Sequence, residues 1–442
     1  MLSEEQTSRD TDNAALDDAL SDARSRYIAN NPGSEADHRK ARQFMPGGNT
    51  RTVLYNDPFP LRVVSGHGAR ITDIDGHEYL NLLGEYTAGL FGHSHPVIRS
   101  AINDALDQGI NLSAHNRHEI RLAELVCDRF PAIERVRFTN SGTEANLMAI
   151  ATARHHTGRE QVMVMHGGYH GGLLYFGGGG IPINAPYDFV LGRFNDIKQT
   201  RKMIRDHGDS LACILVEPMM GSAGCLPADS DFLSMLREET RRLDIVLIFD
   251  EVMTSRLSPG GAQESYGIIP DMTTLGKYIG GGMSFGAFGG TEEIMALYDP
   301  AIPGSMPHAG TFNNNTLTMA AGATALGQVF TAEAALDLNR RGEALREHLN
   351  QLAEEHHAPL QFTGIGSLMN LHGGRQAIHS PQDLASSDDR IRELVFLDLL
   401  EHGFYIARRG FIALMLPLTE SDIKAFENAF KTTLDSRSDC WK

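Results

Sequence analysis

Six short apolar runs constrain this chain more than any other feature: Val136–Thr139, Gln161–Met165, Ala212–Val216, Ile245–Phe249, Thr273–Leu275 and Phe285–Phe288. Longer stretches with helical spacing separate them, which is an α/β signature. Several of the runs are continuously apolar, as expected of strands covered by helices on both faces of a largely parallel sheet. After Thr316 the pattern turns helical, through Thr318–Phe330 and a polar helix around Glu333–Glu355, and Phe362–Leu371 and Phe404–Leu416 then read as strands of a smaller α+β unit. Ahead of the sheet, Leu16, Leu20, Ala23 and Tyr27 recur at helical spacing, and Pro46-Gly47-Gly48-Asn49 breaks the chain. Residues 1–13 are polar and acidic and are expected to be disordered. The expected division is an N-terminal segment 1–70, a large unit 71–325 and a C-terminal unit 326–442.

Composition removes several function classes. The formal net charge of −17 comes without clustered Lys and Arg, so nucleic acid is not an expected partner. No apolar run approaches the roughly 18 to 20 residues of a membrane-spanning helix. Residues 1–22 hold seven acidic residues against one basic, Arg9, which fits neither a secretory signal nor a mitochondrial presequence. Cys127, Cys213, Cys225 and Cys440 show no CxxC spacing, so reduced thiols in a cytoplasmic protein are expected, with no metal site.

Ligands of open α/β sheets bind beyond the carboxyl ends of the strands, so the polar residues that close each apolar run carry the chemistry. The first run leads into Thr139-Asn140-Ser141-Gly142-Thr143-Glu144, where Ser141 and Glu144 have capping-box spacing. Such a helix start favours an anion such as phosphate, and an ordinary helix cap has the same sequence. The second run ends in His166-Gly167-Gly168-Tyr169-His170-Gly171-Gly172, whose glycines permit close approach of a flat ligand and whose Tyr169 suits stacking or simple packing. Asp250 ends the run Ile245–Phe249 at the mouth of a buried strand, where a carboxylate needs a positive partner. A protonated pyridine nitrogen is one such partner, and Mg²⁺ or a turn cap is another. Lys277 stands in Thr273-Thr274-Leu275-Gly276-Lys277-Tyr278-Ile279-Gly280-Gly281-Gly282, a stretch with no other charge. Burial lowers a lysine pKa and frees its amine to form an imine with an aldehyde. His308-Ala309-Gly310-Thr311-Phe312-Asn313 offers a further polar loop.

Taken in order, Asn140-Ser141-Gly142-Thr143-Glu144-Ala145, Gly168-Tyr169-His170-Gly171, Glu217-Pro218, Phe249-Asp250-Glu251-Val252, Leu275-Gly276-Lys277 and Gly310-Thr311-Phe312 resemble the class III aminotransferases of pyridoxal 5′-phosphate (PLP) fold type I. The likeness runs from about residue 40 to 430. The chain is similar to glutamate-1-semialdehyde aminomutases in general, and more so to aromatic β-amino-acid aminotransferases, through Met45–Arg51, Glu85-Tyr86-Thr87-Ala88-Gly89, Thr273–Gly290 and Arg408-Arg409-Gly410-Phe411. The resemblance implies a large domain with a mostly parallel sheet, and a small α+β domain shared by the C-terminal part and the N-terminal segment.

It also implies roles. Lys277 would be the Schiff-base lysine, Asp250 the partner of the pyridine nitrogen and Tyr169 the stacking ring. Ser141, Gly142 and Thr143 would hold the phosphate together with Thr311 of a neighbouring subunit, and Glu217 would stand behind them. Arg51 would bind the substrate carboxylate and Arg409 would serve dual substrate recognition. Arg408 departs from the family pattern, and the sequence leaves the choice between the two adjacent arginines open. Tyr86 and Phe59 suit either a pocket wall for an aryl group or simple packing. The implied activity is ping-pong transfer from an aromatic β-amino acid to 2-oxoglutarate or pyruvate in a homodimer with its site at the interface. Glutamate-1-semialdehyde 2,1-aminomutase and ω-amine transaminase are the alternatives, and the glycine-rich segment Leu173–Pro186 suits either a mutase lid or a transaminase loop.

Overall fold

The computed structural model describes residues 14–441. The expectation of disorder for residues 1–13 lies outside the described residues. After two N-terminal helices, Ala14–Asn30 and Pro32–Ala41, come three strands, β1 (Val63–His67), β2 (Arg70–Asp73) and β3 (Glu78–Asn81). The central strands follow as β4 (Arg135–Thr139), β5 (Gln161–Met165), β6 (Asp188–Gly192) and β7 (Leu211–Val216), then a small ladder of β8 (Met219–Met220) and β9 (Leu226–Pro227). β10 (Val246–Asp250), β11 (Met272–Gly276) and β12 (Gly286–Gly290) complete the central sheet. β13 (Leu360–Ile365), β14 (Leu368–Gly373), β15 (Phe404–Tyr405) and β16 (Phe411–Ala413) belong to the C-terminal part.

The central sheet runs β4-β12-β11-β10-β7-β5-β6, with β12 antiparallel to both neighbours and the remaining pairings parallel. Every residue of β7 and β10 is buried, which is why both read as unbroken apolar runs. This mixed sheet, flanked by helices, is the large-domain core that the sequence resemblance implies.

Several boundaries differ from the sequence reading, each for a physical reason. β12 is Gly-Ala-Phe-Gly-Gly and starts one residue later than Phe285; small residues let it lie between β4 and β11, and they hide its strand character. β6 was not expected, because a five-residue edge strand beginning with Asp188 lacks a long apolar run. The apolar stretch Phe362–Leu371 is a hairpin, not one strand: Gly366 takes φ +54 and the chain folds back as β13 and β14. Phe404–Leu416 likewise divides, because the turn at Arg408-Arg409-Gly410 sends β15 to one sheet and β16 to another. The helix expected at Thr318–Phe330 is α-helical only over Thr316–Thr324 and widens into a π-turn at Ala325–Val329.

The two ends of the chain meet. Helix Ala14–Asn30 buries Leu16, Leu20, Ala23 and Tyr27 and packs on helix Asp389–Glu401. Arg24 clasps Glu393 of that helix with two bonds of 2.7 and 2.8 Å. β15 pairs in parallel with β3, so a strand from the last tenth of the chain extends a sheet started before residue 70. Among the described residues, no helix is long and apolar enough to cross a membrane.

Candidate active site

β10 delivers Asp250 to the rim of the sheet, where it is 5% exposed. Its Oδ2 accepts hydrogen bonds from Asn146 Nδ2 and His170 Nδ1, each at 2.8 Å, and its Oδ1 accepts the Val252 N–H at 3.0 Å. Asn146 is oriented in turn, since its Oδ1 accepts from Thr274 Oγ1 at 2.7 Å. A carboxylate offers about four acceptor positions, so Asp250 has capacity left for one more donor.

Lys277 follows β11 directly and holds φ +55, a left-handed conformation for a residue with a side chain. Its Nζ donates to the Tyr86 carbonyl at 2.6 Å. Burial, and then the nearby Arg51 cation, push its pKa down to about 8, against the opposing pull of Asp250. About a tenth of such an amine is neutral at pH 7, far more than of an ordinary lysine.

Helix Gly142–Thr157 begins at the same rim. Ser141 Oγ accepts the Glu144 N–H at 3.2 Å, but Glu144 returns its bond to the Asn140 N–H at 2.8 Å, one residue earlier than a reciprocal capping box. The first N–H groups of a helix lack intrahelical acceptors and face an anion site. Thr143 Oγ1 accepts the Gly172 N–H at 3.3 Å, and a Cβ on Gly171 (φ +123) would lie 2.1 Å from that oxygen. Only glycine lets the loop close on the helix start.

Tyr169 is fixed through its backbone, whose N–H donates to Glu217 Oε1 at 2.9 Å, and its ring meets Tyr175 edge-on at 5.7 Å. Glu217 Oε2 accepts the Gly221 N–H at 2.9 Å. Burial lifts the Glu217 carboxyl to about 7, with His170 opposing and Asp250 reinforcing the shift. Tyr175 is itself tied to Asn184 by two bonds of 2.8 and 2.9 Å, so the segment Leu173–Pro186 closes on itself.

A cavity of about 750 Å³ brings together Lys277, Tyr169, Tyr86, Arg51, Arg408 and Arg409. Arg408 is committed to Glu393 at 2.5 Å, on the carboxylate that also holds Arg24. Arg409 instead lies over the Tyr86 ring, 5.0 Å from its centroid, and donates to Ser222 Oγ at 3.3 Å. Among the described residues it has no carboxylate partner, which makes it the better placed of the two arginines for an anionic ligand. Phe59 does not line the cavity; it is 2% exposed and packs against Tyr27. Thr311 lies elsewhere, with the segment Ile110–Asn116 around a second depression of about 470 Å³.

One turn ties these elements together. Gly84, Glu85, Tyr86 and Thr87 take φ values of +53, +51, +51 and +79, a left-handed turn that costs about 1 to 2 kcal/mol for each residue bearing a Cβ. Asn81 Oδ1 anchors it by accepting the Leu83 and Gly84 N–H groups at 2.9 and 3.2 Å, and Tyr86 packs on Phe411 at 5.3 Å. A Cβ at Gly84 would meet the Ala413 carbonyl at 2.7 Å.

The aminotransferase class-III family model matches residues 54–176 and 184–434. The chain belongs to the class III aminotransferases. A β-phenylalanine transaminase of Variovorax paradoxus is 52% identical over 413 residues, covering 93% of this chain and 95% of that one. The crystal structure of a β-phenylalanine aminotransferase from the same organism superposes with a TM-score of 0.94 at 50% identity, covering 95% of this chain and 98% of the other. A glutamate-1-semialdehyde 2,1-aminomutase of Methanothermobacter thermautotrophicus is 38% identical, covering 84% and 91% of the two chains. A transaminase solved with PLP bound superposes with a TM-score of 0.85 at 32% identity, covering 92% and 98%.

The cofactor of this aminotransferase is PLP, and the residues fit it. A helix start suits the phosphate, a carboxylate with spare acceptor capacity suits the ring nitrogen, and a partly neutral amine suits the aldehyde. Asn146 and His170 were given no role by the sequence. The signal for Asn146 is a polar residue on the buried face of its helix, beside Ala145, Ala149 and Ile150. The lysine titration yields a prediction: PLP uptake by the apo-enzyme, followed by visible absorbance, rises about tenfold per pH unit below pH 8 and levels off above it. A rate independent of pH between 6 and 8 contradicts the partly neutral amine.

Proposed function

We propose that this aminotransferase moves the amino group of an aromatic β-amino acid to a keto acid such as 2-oxoglutarate or pyruvate, in two half-reactions at one site. The observation that carries the reading is Arg51 and Arg409 in the same cavity as Lys277, in a chain half identical to a β-phenylalanine transaminase. Bound PLP supplies an aldehyde and an electron-withdrawing ring. Lys277 would hold the aldehyde of bound PLP, and its amine, when free, is the group placed to hold or move the proton of the amine-bearing substrate carbon. Asp250 keeps the ring nitrogen protonated, and Asn146 and His170 orient that carboxylate. The Tyr169 ring covers one face, Glu217 fixes Tyr169, and Ser141, Gly142 and Thr143 receive the phosphate.

Arg51 takes the β-amino acid carboxylate, Arg409 on the other side of the cavity serves dual substrate recognition, and Tyr86 forms part of the wall. The fold is read as a large unit 71–325 carrying the cofactor, with the segments 1–70 and 326–442 closing the substrate side. The functional form is a cytoplasmic homodimer. Exposed Ile110, Leu112 and Phe312 around the Thr311 depression form an apolar face that a second copy would cover, and that contact would bring the partner's Thr311 to the phosphate.

A donor panel of 3-amino-3-phenylpropanoate, α-alanine, 1-phenylethylamine and glutamate-1-semialdehyde tests the reading. The β-amino acid is expected to give the highest kcat/KM. R51Q should raise its KM about 10- to 100-fold, the worth of a charged hydrogen-bonded pair, with a much smaller effect on the amine. Isomerisation of the semialdehyde without any keto acid would make the enzyme a mutase, and preference for the amine would make it an ω-amine transaminase.

A further inference from the structure

Glu85 has no part in the roles assigned above and does not line the cavity, yet its Oε1 takes the Nη1 of Arg51. The left-handed turn Gly84–Thr87 sets its position, and the same turn presents the Tyr86 carbonyl to Lys277 Nζ at 2.6 Å. The pair is therefore anchored to the reaction centre. Its two side chains are 48% and 47% exposed, so water screens the pair and its partners exchange readily.

We propose that Glu85 is a specificity-determining residue: its carboxylate occupies Arg51 as an internal competitor and gives way when a substrate carboxylate takes the guanidinium. The inference rests on the assignment of Arg51 to the substrate carboxylate. The exchange replaces one carboxylate by another, so the charge facing Arg51 stays constant through binding. This matters because both charges reach the Lys277 amine with opposite effects, Arg51 favouring its neutral form and Glu85 its charged form. With a donor that lacks a carboxylate, Glu85 remains in place and Arg51 is not left as an unpaired cation beside an apolar group. Glu85 thus tightens the contest for acids and widens tolerance for simple amines.

The test uses the PLP-loaded enzyme and 3-phenylpropanoate, a carboxylate that binds but has no amine to react, titrated by visible absorbance. Two neutral variants are compared, E85Q and E85N, the second because asparagine is at home in left-handed backbone. An exposed ion pair shifts an equilibrium by up to about fivefold, so the Kd for 3-phenylpropanoate should fall about two- to fivefold. The KM for 3-amino-3-phenylpropanoate relative to that for 1-phenylethylamine should fall by the same factor. In an R51Q background the gain should vanish.

If R51Q weakens acid binding but E85Q and E85N leave it unchanged or weaker, the inference is overturned while Arg51 stands. If R51Q itself has no effect, the Arg51 assignment fails first. Loss of PLP absorbance in both Glu85 variants would make Glu85 a structural part of the turn and would equally overturn the inference.

Discussion

Lys277→Ala is expected to yield a folded protein whose transamination is reduced by about 10⁴-fold or more, since on the proposed mechanism it removes both the covalent tether and the group that carries the proton. The visible absorbance of covalently held PLP should disappear with it. Loss of activity here is chemical rather than structural. Lys277 has its pKa lowered from the ordinary 10.5 to about 8, so its burial costs the folded apo-protein about 3 kcal/mol while the amine is charged. A depressed lysine pKa destabilises the fold below about pH 8, and that cost fades as the pH rises toward 10.5. Lys277→Met, which keeps the stem, should therefore raise the apo-enzyme Tm at pH 7, by an amount that shrinks toward pH 10.5. Full activity in either variant, or a lowered Tm for the methionine, would contradict the role given to this amine.

Asp250→Ala is expected to lower kcat by about 10³-fold or more, because a ring nitrogen that loses its proton withdraws electrons poorly. It also strips an acceptor from Asn146, His170 and the Val252 N–H. Each buried donor so orphaned costs about 1 to 3 kcal/mol, and a lower Tm should accompany the lost activity. A PLP analogue methylated on the ring nitrogen separates the two effects, since its charge needs no carboxylate. It should restore part of the activity of Asp250→Ala while leaving the Tm low. No restoration would assign Asp250 to packing alone.

The placement of Asp250, Lys277 and Tyr169 at one rim of the sheet was legible in the sequence, because Asp250 and Lys277 come at the ends of apolar runs and Tyr169 in the glycine loop after another, and parallel strands present such residues at one edge of a sheet. The long buried strands were legible for the same reason. Glycine-rich β12 and the short edge strand β6 were not, since neither carries a long apolar signal. Phe59 shows the limit of reading aromatics: a ring near the pocket in sequence is buried against Tyr27 in space. The choice between Arg408 and Arg409 needed Glu393, a residue fifteen positions earlier on a helix that only the fold brings near. The left-handed turn at Gly84–Thr87 was equally invisible, because three of its four residues are types that ordinarily avoid that conformation.

The meeting of the chain's two ends has a consequence for synthesis. Arg51 and Tyr86 are made before Lys277, and Arg409 and β16 are made after all three. During translation the start of helix Gly142–Thr157 and Lys277, the proposed cofactor contacts, are made before Arg409 and β16 on the proposed substrate side. A growing chain on the ribosome thus gains the residues proposed to hold PLP before those proposed to receive an amino acid. A nascent chain stalled before residue 400 should present these cofactor-facing residues to solvent with one side missing, prone to stick to other unfinished chains until β15 docks on β3.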